Sequence, residues 1–210
     1  YLTGHILEAN KFLAYRMLRR SAEQNHPAGL HLMGVMYMTG DDYVGKNEKA
    51  AVEYFGRALD EGNELVLPEL GSAYLYGIGT APDTELAFEC LTKGAADGSI
   101  TALNNLAIMY LNGVGTAKDE VRAAKLFAKA ADEGSADAIS NLGTLYATGR
   151  GVPRDTEKAK TLFRKAADMG NDDAKSNLEA LESGASDFGY RVWDGKTSRV
   201  AHVKDVHGRD

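Results

Sequence analysis

Glycine and tyrosine recur through this chain on a beat of 36 residues, and that beat limits the fold more than any other feature. Gly62, Gly98, Gly134 and Gly170 stand 36 residues apart, and Tyr37, Tyr74, Tyr110 and Tyr146 follow at intervals of 37, 36 and 36. A period in this range means one supersecondary unit copied and stacked. Each copy packs on its neighbours, so 210 residues need no single central core. Stacked helical repeats usually present a surface to a partner and seldom build a catalytic pocket.

Each copy reads as two helices. The first ends at Gly40, Gly77, Gly113 or Gly149, and the second at Gly62, Gly98, Gly134 or Gly170. Glycine just past a helix adopts the left-handed conformation without a Cβ penalty and closes the last carbonyls. The next residue is Asn63, Ser99, Ser135 or Asn171, a good N-cap for the following first helix. Asp83, Asp119 and Asp155 stand where the second helices should start and suit their positive ends. Leu70 and Tyr74, Leu106 and Tyr110, Leu142 and Tyr146 give the first helix its apolar spacing. Gly34, Gly71, Ala107 and Gly143 are small enough for the two helices of a repeat to approach closely. Large and small residues alternate in the second helix, as in Ala51-Phe55-Ala58, Ala123-Phe127-Ala130 and Ala159-Phe163-Ala166, which suits interdigitating layers.

The pattern A-x3-L-G-x2-Y-x2-G-x-G, followed by K-A-x3-F-x2-A-A-x2-G, resembles the Sel-one-like repeats (SLR), relatives of the tetratricopeptide repeats. Four copies cover roughly residues 28–170. The first departs at Gly29 and carries a longer loop with Gly45; the second has Val66 and Pro68 at its start. The resemblance implies an all-α fold, a right-handed α-solenoid of stacked helix–turn–helix repeats. Residues 1–25 are expected to form an N-terminal half-repeat or cap, with Ala14, Leu18 and Ala22 in the second-helix register. Residues 26–182 hold the four repeats and a capping helix. Residues 183–210 form a non-helical tail in which Asp194-Gly195 signals a hairpin turn.

The net charge of −6 and the pI near 5.4 argue against duplex nucleic acid or an anionic membrane as the main partner. No run of 18 apolar residues occurs, so no membrane span is expected, although a place in a membrane-associated complex stays open. Cys90 is the sole cysteine, which excludes an intrachain disulfide. The chain opens at Tyr1 rather than Met, which leaves room for a processed or truncated N-terminus in an organelle, secretory lumen or periplasm.

Residues with chemical potential find ordinary explanations. Gly77-Ile-Gly79, Gly113-Val-Gly115 and Gly149-Arg-Gly151 lack the preceding strand and the Gly-Lys-Ser/Thr ending of phosphate loops, so they read as turns. His202 and His207 lie in the tail and read as solvated rather than metal-binding. Cys90 sits beside Leu91 in a second helix and reads as packed rather than nucleophilic. No catalytic residue, metal or cofactor is expected.

The first helices are left to carry function. By analogy with tetratricopeptide arrays they line a concave face, where Met38, Ser72, Leu75 and Tyr76 would lie in the first two copies. Asn104, Ile108, Leu111 and Asn112 follow in the third, and Thr144 in the fourth. The column Met38–Leu75–Leu111–Ala147 is apolar and would suit a partner helix or extended peptide, though the chain's own tail is a second candidate occupant. Tyr190 and Trp193 in the tail are either interface anchors or a cover for the last helix near Leu178 and Leu181. The resemblance implies a non-catalytic scaffold or adaptor in a multiprotein complex. The alternative is a regulator that restrains a signalling or membrane protein in the periplasm or secretory lumen.

Overall fold

The computed structural model describes residues 2–40, 43–184, 189–193 and 198–202, with side chains for 12–40 and 43–184. The fold is an all-α solenoid of stacked helix–turn–helix repeats. It divides into two compact units, Tyr1–Asp83 and Thr84–Asp210.

In the first unit, α1 (Leu2–Glu23), α2 (Pro27–Thr39) and α3 (Glu48–Asp60) pack in succession. A single 3-10 turn (Glu64–Val66) and α4 (Leu67–Tyr76) then lie on α3. The turn precedes α4 because Pro68 has no N–H to donate and suits only the first turn of a helix. Where each second helix is followed by glycine, α1 is followed by Asn25, the only described non-glycine residue with positive φ (56°). Asparagine tolerates that conformation better than other side chains. The Asn25 Oδ1 also accepts a 2.7 Å hydrogen bond from Arg57, which ties the α1 terminus to α3.

The second unit holds α5 (Thr84–Ala96), α6 (Ile100–Asn112), α7 (Glu120–Asp132), α8 (Ala136–Thr148), α9 (Thr156–Asp168) and α10 (Asp172–Glu182). Each helix packs against the next, and α10 also touches α8. Two strands follow, β1 (Gly189–Trp193) and β2 (Ser198–His202), paired antiparallel with Gly189 opposite His202 and Trp193 opposite Ser198. The connecting residues 194–197, and with them the Asp194-Gly195 turn signal, lie outside the described residues.

The repeat punctuation works as hydrogen-bond closure. Ser99, Ser135 and Asn171 cap α6, α8 and α10 by accepting from Ala102, Ala138 and Ala174 N–H groups. Asp119 and Asp155 cap α7 and α9 in the same way, and Asn47 does so for α3. In every copy the amide of the residue before the second helix donates to the tyrosine carbonyl of the first: Asn47 to Tyr37, Asp83 to Tyr74, Asp119 to Tyr110 and Asp155 to Tyr146, at 2.8–2.9 Å. Gly77, Gly113 and Gly149 take the left-handed cap conformation, whereas Gly40, before the longer loop, does not. The second glycine of the three shorter loops, Gly79, Gly115 or Gly151, has another reason. A Cβ on Gly151 would collide with the Glu120 carbonyl at the start of the preceding second helix, so only glycine allows this approach. Phe55, Phe127 and Phe163 are wholly buried, and each contributes about 2–3 kcal/mol of apolar burial.

Candidate partner-binding face

The direction of each first helix is set by its small residue. A Cβ on Gly143 would stand 2.7 Å from the Phe163 ring, and one on Gly34 would meet the Phe55 ring in the same way. Position 143 therefore faces α9, and position 34 faces α3. With 3.6 residues per turn, positions two before and two after lie roughly half a turn away. Asn141 and Leu145 thus point away from α9, and Leu32 and Met36 away from α3. The same repeat position puts Asn105 and Met109 on the corresponding face of α6.

The two units differ on this face. In the first, Leu32 is 45% exposed and Met36 is half-buried. In the second, Asn105, Met109, Asn141 and Leu145 are each 1% exposed or less. The backbone of β1 runs alongside α8 and approaches α10 and α6. Asn177 on α10, another 36 residues on from Asn141, is also buried.

The residues expected from the sequence to meet a partner fall into the same two settings. Met38, Leu75 and Tyr76 are half-buried, while Ser72 is buried and donates its hydroxyl to the Pro68 carbonyl at 2.7 Å. In the second unit Ile108, Leu111 and Thr144 are buried; Asn112 is half-buried. The Asn104 Oδ1 accepts from the Asn141 Nδ2 at 3.2 Å, bonding α6 to α8. The Leu111 carbonyl accepts from Arg150, and Thr144 donates to the Ser140 carbonyl. These contacts are between and within repeats. Tyr190 and Trp193 lie on β1, where their backbones pair with Ala201 and Ser198. Their side chains lie outside the described residues.

Sequence reading passed over Asn105, Asn141 and Asn177, although their 36-residue spacing is visible. That spacing was the available signal.

The loops carry the main electrostatic feature. Glu120 is 2.9 Å from Arg150 and 3.0 Å from Lys118. Burial pushes the Glu120 carboxyl up, but hydrogen bonds from Lys118 and Arg150, with their charges, outweigh it and hold the group below its usual value. An open depression of about 870 Å³ beside it is lined by Phe88, Tyr110, Lys118, Asp119 and Arg122 among others. The Arg122 guanidinium lies 4.6 Å over the Tyr110 ring there, a cation–π contact. Cys90 is 8% exposed, and burial pushes its thiol up, away from the reactive thiolate. Among the described residues no group of three or more His, Cys, Asp or Glu could hold a metal ion, and no helix is long and apolar enough to cross a membrane.

The model of the Sel1 repeat matches residues 1–26, 27–63, 69–99, 100–135 and 136–171. The chain belongs to the Sel1 repeat family. A protective antigen of uropathogenic Escherichia coli with an SLR fold superposes with a TM-score of 0.68 at 29% identity, over 81% of this chain and 37% of that one. A Sel1 repeat protein from Oxalobacter formigenes gives 0.64 at 32% identity, over 80% of this chain and 49% of that one. This Sel1 repeat chain therefore spans less than half the length of either. A Sel1 repeat protein from Klebsiella pneumoniae, 19% identical, shares the fold with a TM-score of 0.53 over 80% of this chain and 84% of that one. Sel1 and tetratricopeptide repeats generally mediate protein–protein interactions, and proteins built from them are typically non-catalytic scaffolds.

Proposed function

We propose that this Sel1 repeat chain is a non-catalytic adaptor, a subunit or assembly factor of a multiprotein complex, which holds a partner peptide or helix on its first-helix face. The observation that carries this reading is the open apolar surface of α2, where Leu32 is 45% exposed and Met36 and Met38 are half-buried. The core of the repeat is already filled by Phe55, Ala51 and Ala58, so these side chains are not needed to complete it. Apolar residues on a rigid helix, bordered by the polar His31 and Thr39, suit an amphipathic or extended partner segment.

The test is affinity purification from the source with crosslinking, using the intact chain and a Leu32→Glu, Leu75→Glu double variant. The partner should crosslink to α2 or α4 and be lost with the double variant while far-UV circular dichroism stays unchanged. Equal recovery of the partner by both chains would overturn the reading.

A further inference from the structure

The geometry points to a second docking surface, on α1: its outward apolar side receives one amphipathic helix of a partner protein, built like a first helix of this repeat, with glycine or alanine at the crossing point. This surface is separate from the α2 face of the adaptor reading and does not rest on it.

α1 stands in second-helix register. The same hydrogen bond closes α3, α7 and α9, from Asn63 N–H to the Ala58 carbonyl, from Ser135 to Ala130 and from Asn171 to Ala166; after α1 it runs from His26 to Ser21. That bond aligns Ala14 with Ala51, Ala87, Ala123 and Ala159, and Leu18 with Phe55, Leu91, Phe127 and Phe163. All of these counterparts are wholly buried. Ala14 is exposed, Leu18 is only half-buried, and Met17 is 66% exposed. Among the described residues no helix covers this side of α1.

The same chain shows what seals that side elsewhere. A Cβ on Gly34 would meet the Phe55 ring and the Ala51 carbonyl, and one on Gly143 would meet the Phe163 ring. The covering element is a first helix, and its glycine lets the two backbones come close. Leu18 is shorter than phenylalanine, so alanine at the crossing fits as well. The occupant is thus defined by chemistry: a helix with a small residue opposite Leu18 and apolar neighbours against Ala14 and Met17.

Two observations make this a docking surface. α1 is clamped from another side, where Tyr15 stacks on Tyr43 with ring centroids 5.9 Å apart and Phe12 meets the same ring at 5.8 Å. At about 100° per residue, Phe12 lies across the helix from Ala14, so the clamp leaves the apolar side clear. The second is the contrast with α10, since a solenoid end ordinarily shows a polar outer face. On α10 Lys175, Ser176, Glu179 and Glu182 are exposed, and Glu179 stands where α8 has Gly143. With glutamate at the crossing point, α10 of a second copy does not fit α1. Pairing α1 with α1 of a second copy would crowd Arg16 and Arg20 of both chains. A partner helix with a small crossing residue meets neither obstacle.

The test uses the full-length chain and a fluorescent synthetic peptide of residues 135–150, held helical by a bridge between positions 141 and 145, which point away from the packed glycine. Fluorescence polarisation should show saturable binding. Ala14→Glu with Met17→Glu should weaken it by at least about tenfold, and Gly143→Phe in the peptide should do the same. Both α1 residues are exposed, so far-UV circular dichroism of the double variant should match the wild type. As a second readout, the peptide should slow peroxide oxidation of Met17 and leave that of Met169, 47% exposed, unchanged. Leu32→Glu should leave peptide binding intact, which separates this surface from the adaptor reading. Absence of saturable binding, binding that survives the α1 double variant, unslowed Met17 oxidation or binding lost with Leu32→Glu overturns the inference. So does a concentration-dependent dimer in analytical ultracentrifugation that Met17→Glu dissociates, because the surface would then belong to a second copy.

Discussion

The two units present the same repeat face under different conditions. At the position half a turn from the second helix, the first unit shows Leu32, exposed to 45%, and the second shows Asn105 and Asn141, each exposed to 1%. The interior behind them is shared: Gly34 lies on Phe55 and Gly143 on Phe163. The loops repeat the contrast, since the buried middle residue of Gly-x-Gly is Ile78 in the first unit and Arg150 in the second. One scaffold thus carries an open leucine on α2 and buried asparagines on α6 and α8 at the same repeat position. The repeat fixes the interior, while the positions it leaves free set the chemistry of the surface.

If the interior is common, damage there should cost the same in both units. Phe55→Ala and Phe163→Ala each remove a wholly buried ring and should lower unfolding stability by about 3–5 kcal/mol. Urea denaturation of the two variants checks this. A difference of more than about half that size would mean that the units do not share one interior.

The buried asparagines should show a medium effect. Asn141→Ala leaves the Asn104 carboxamide oxygen without its donor in a dry setting and should cost about 1–3 kcal/mol. The same measurement on a Leu32→Ala variant should change little, because that side chain is already in water to a large extent.

The loop contrast predicts acid sensitivity in one unit. Lys118 and Arg150 hold the folded-state Glu120 carboxyl below its unfolded value. A depressed carboxyl contributes stability that is present above the unfolded pKa, near 4.3, and is lost as pH falls through the lower folded value. Because Glu120 is partly solvated, that contribution is on the order of 1 kcal/mol or less. Glu120→Gln should therefore lower stability at pH 7 and leave it nearly unchanged near pH 3. Melting curves of both chains at the two pH values check the sign.

The interior was legible in the sequence because it is local and repeated. Gly-then-cap at Gly98-Ser99 or Gly134-Ser135 specifies a helix end and a helix start within two residues, and the hydrogen bonds from Ala102 and Ala138 follow. The face was less legible because it depends on helix rotation. A shift of one residue turns a side chain by about 100°, so analogy with another repeat separates Asn104 from Asn105 poorly. Leu111 and Thr144 are buried in the repeat stack, where Arg150 reaches the Leu111 carbonyl and Thr144 the Ser140 carbonyl, and analogy with another repeat does not report that. The hairpin of the tail was signalled by Asp194-Gly195, but the approach of β1 to α8 is a contact far from local in sequence.

The smallest expected effect on stability is the sharpest test of the open face. Leu32→Ser replaces an exposed apolar side chain, removes no buried contact of the core and should shift stability by less than about 0.5 kcal/mol. Partner capture should nevertheless fall, because an apolar anchor at the centre of an interface carries far more binding energy than folding energy. The comparison then has a direct form. Under equal conditions Leu32→Ser should lose partner and keep stability, while Asn141→Ala should lose stability whether or not a partner is present. A Leu32→Ser chain that captured its partner normally would move the contact off α2 and leave the open face without a role.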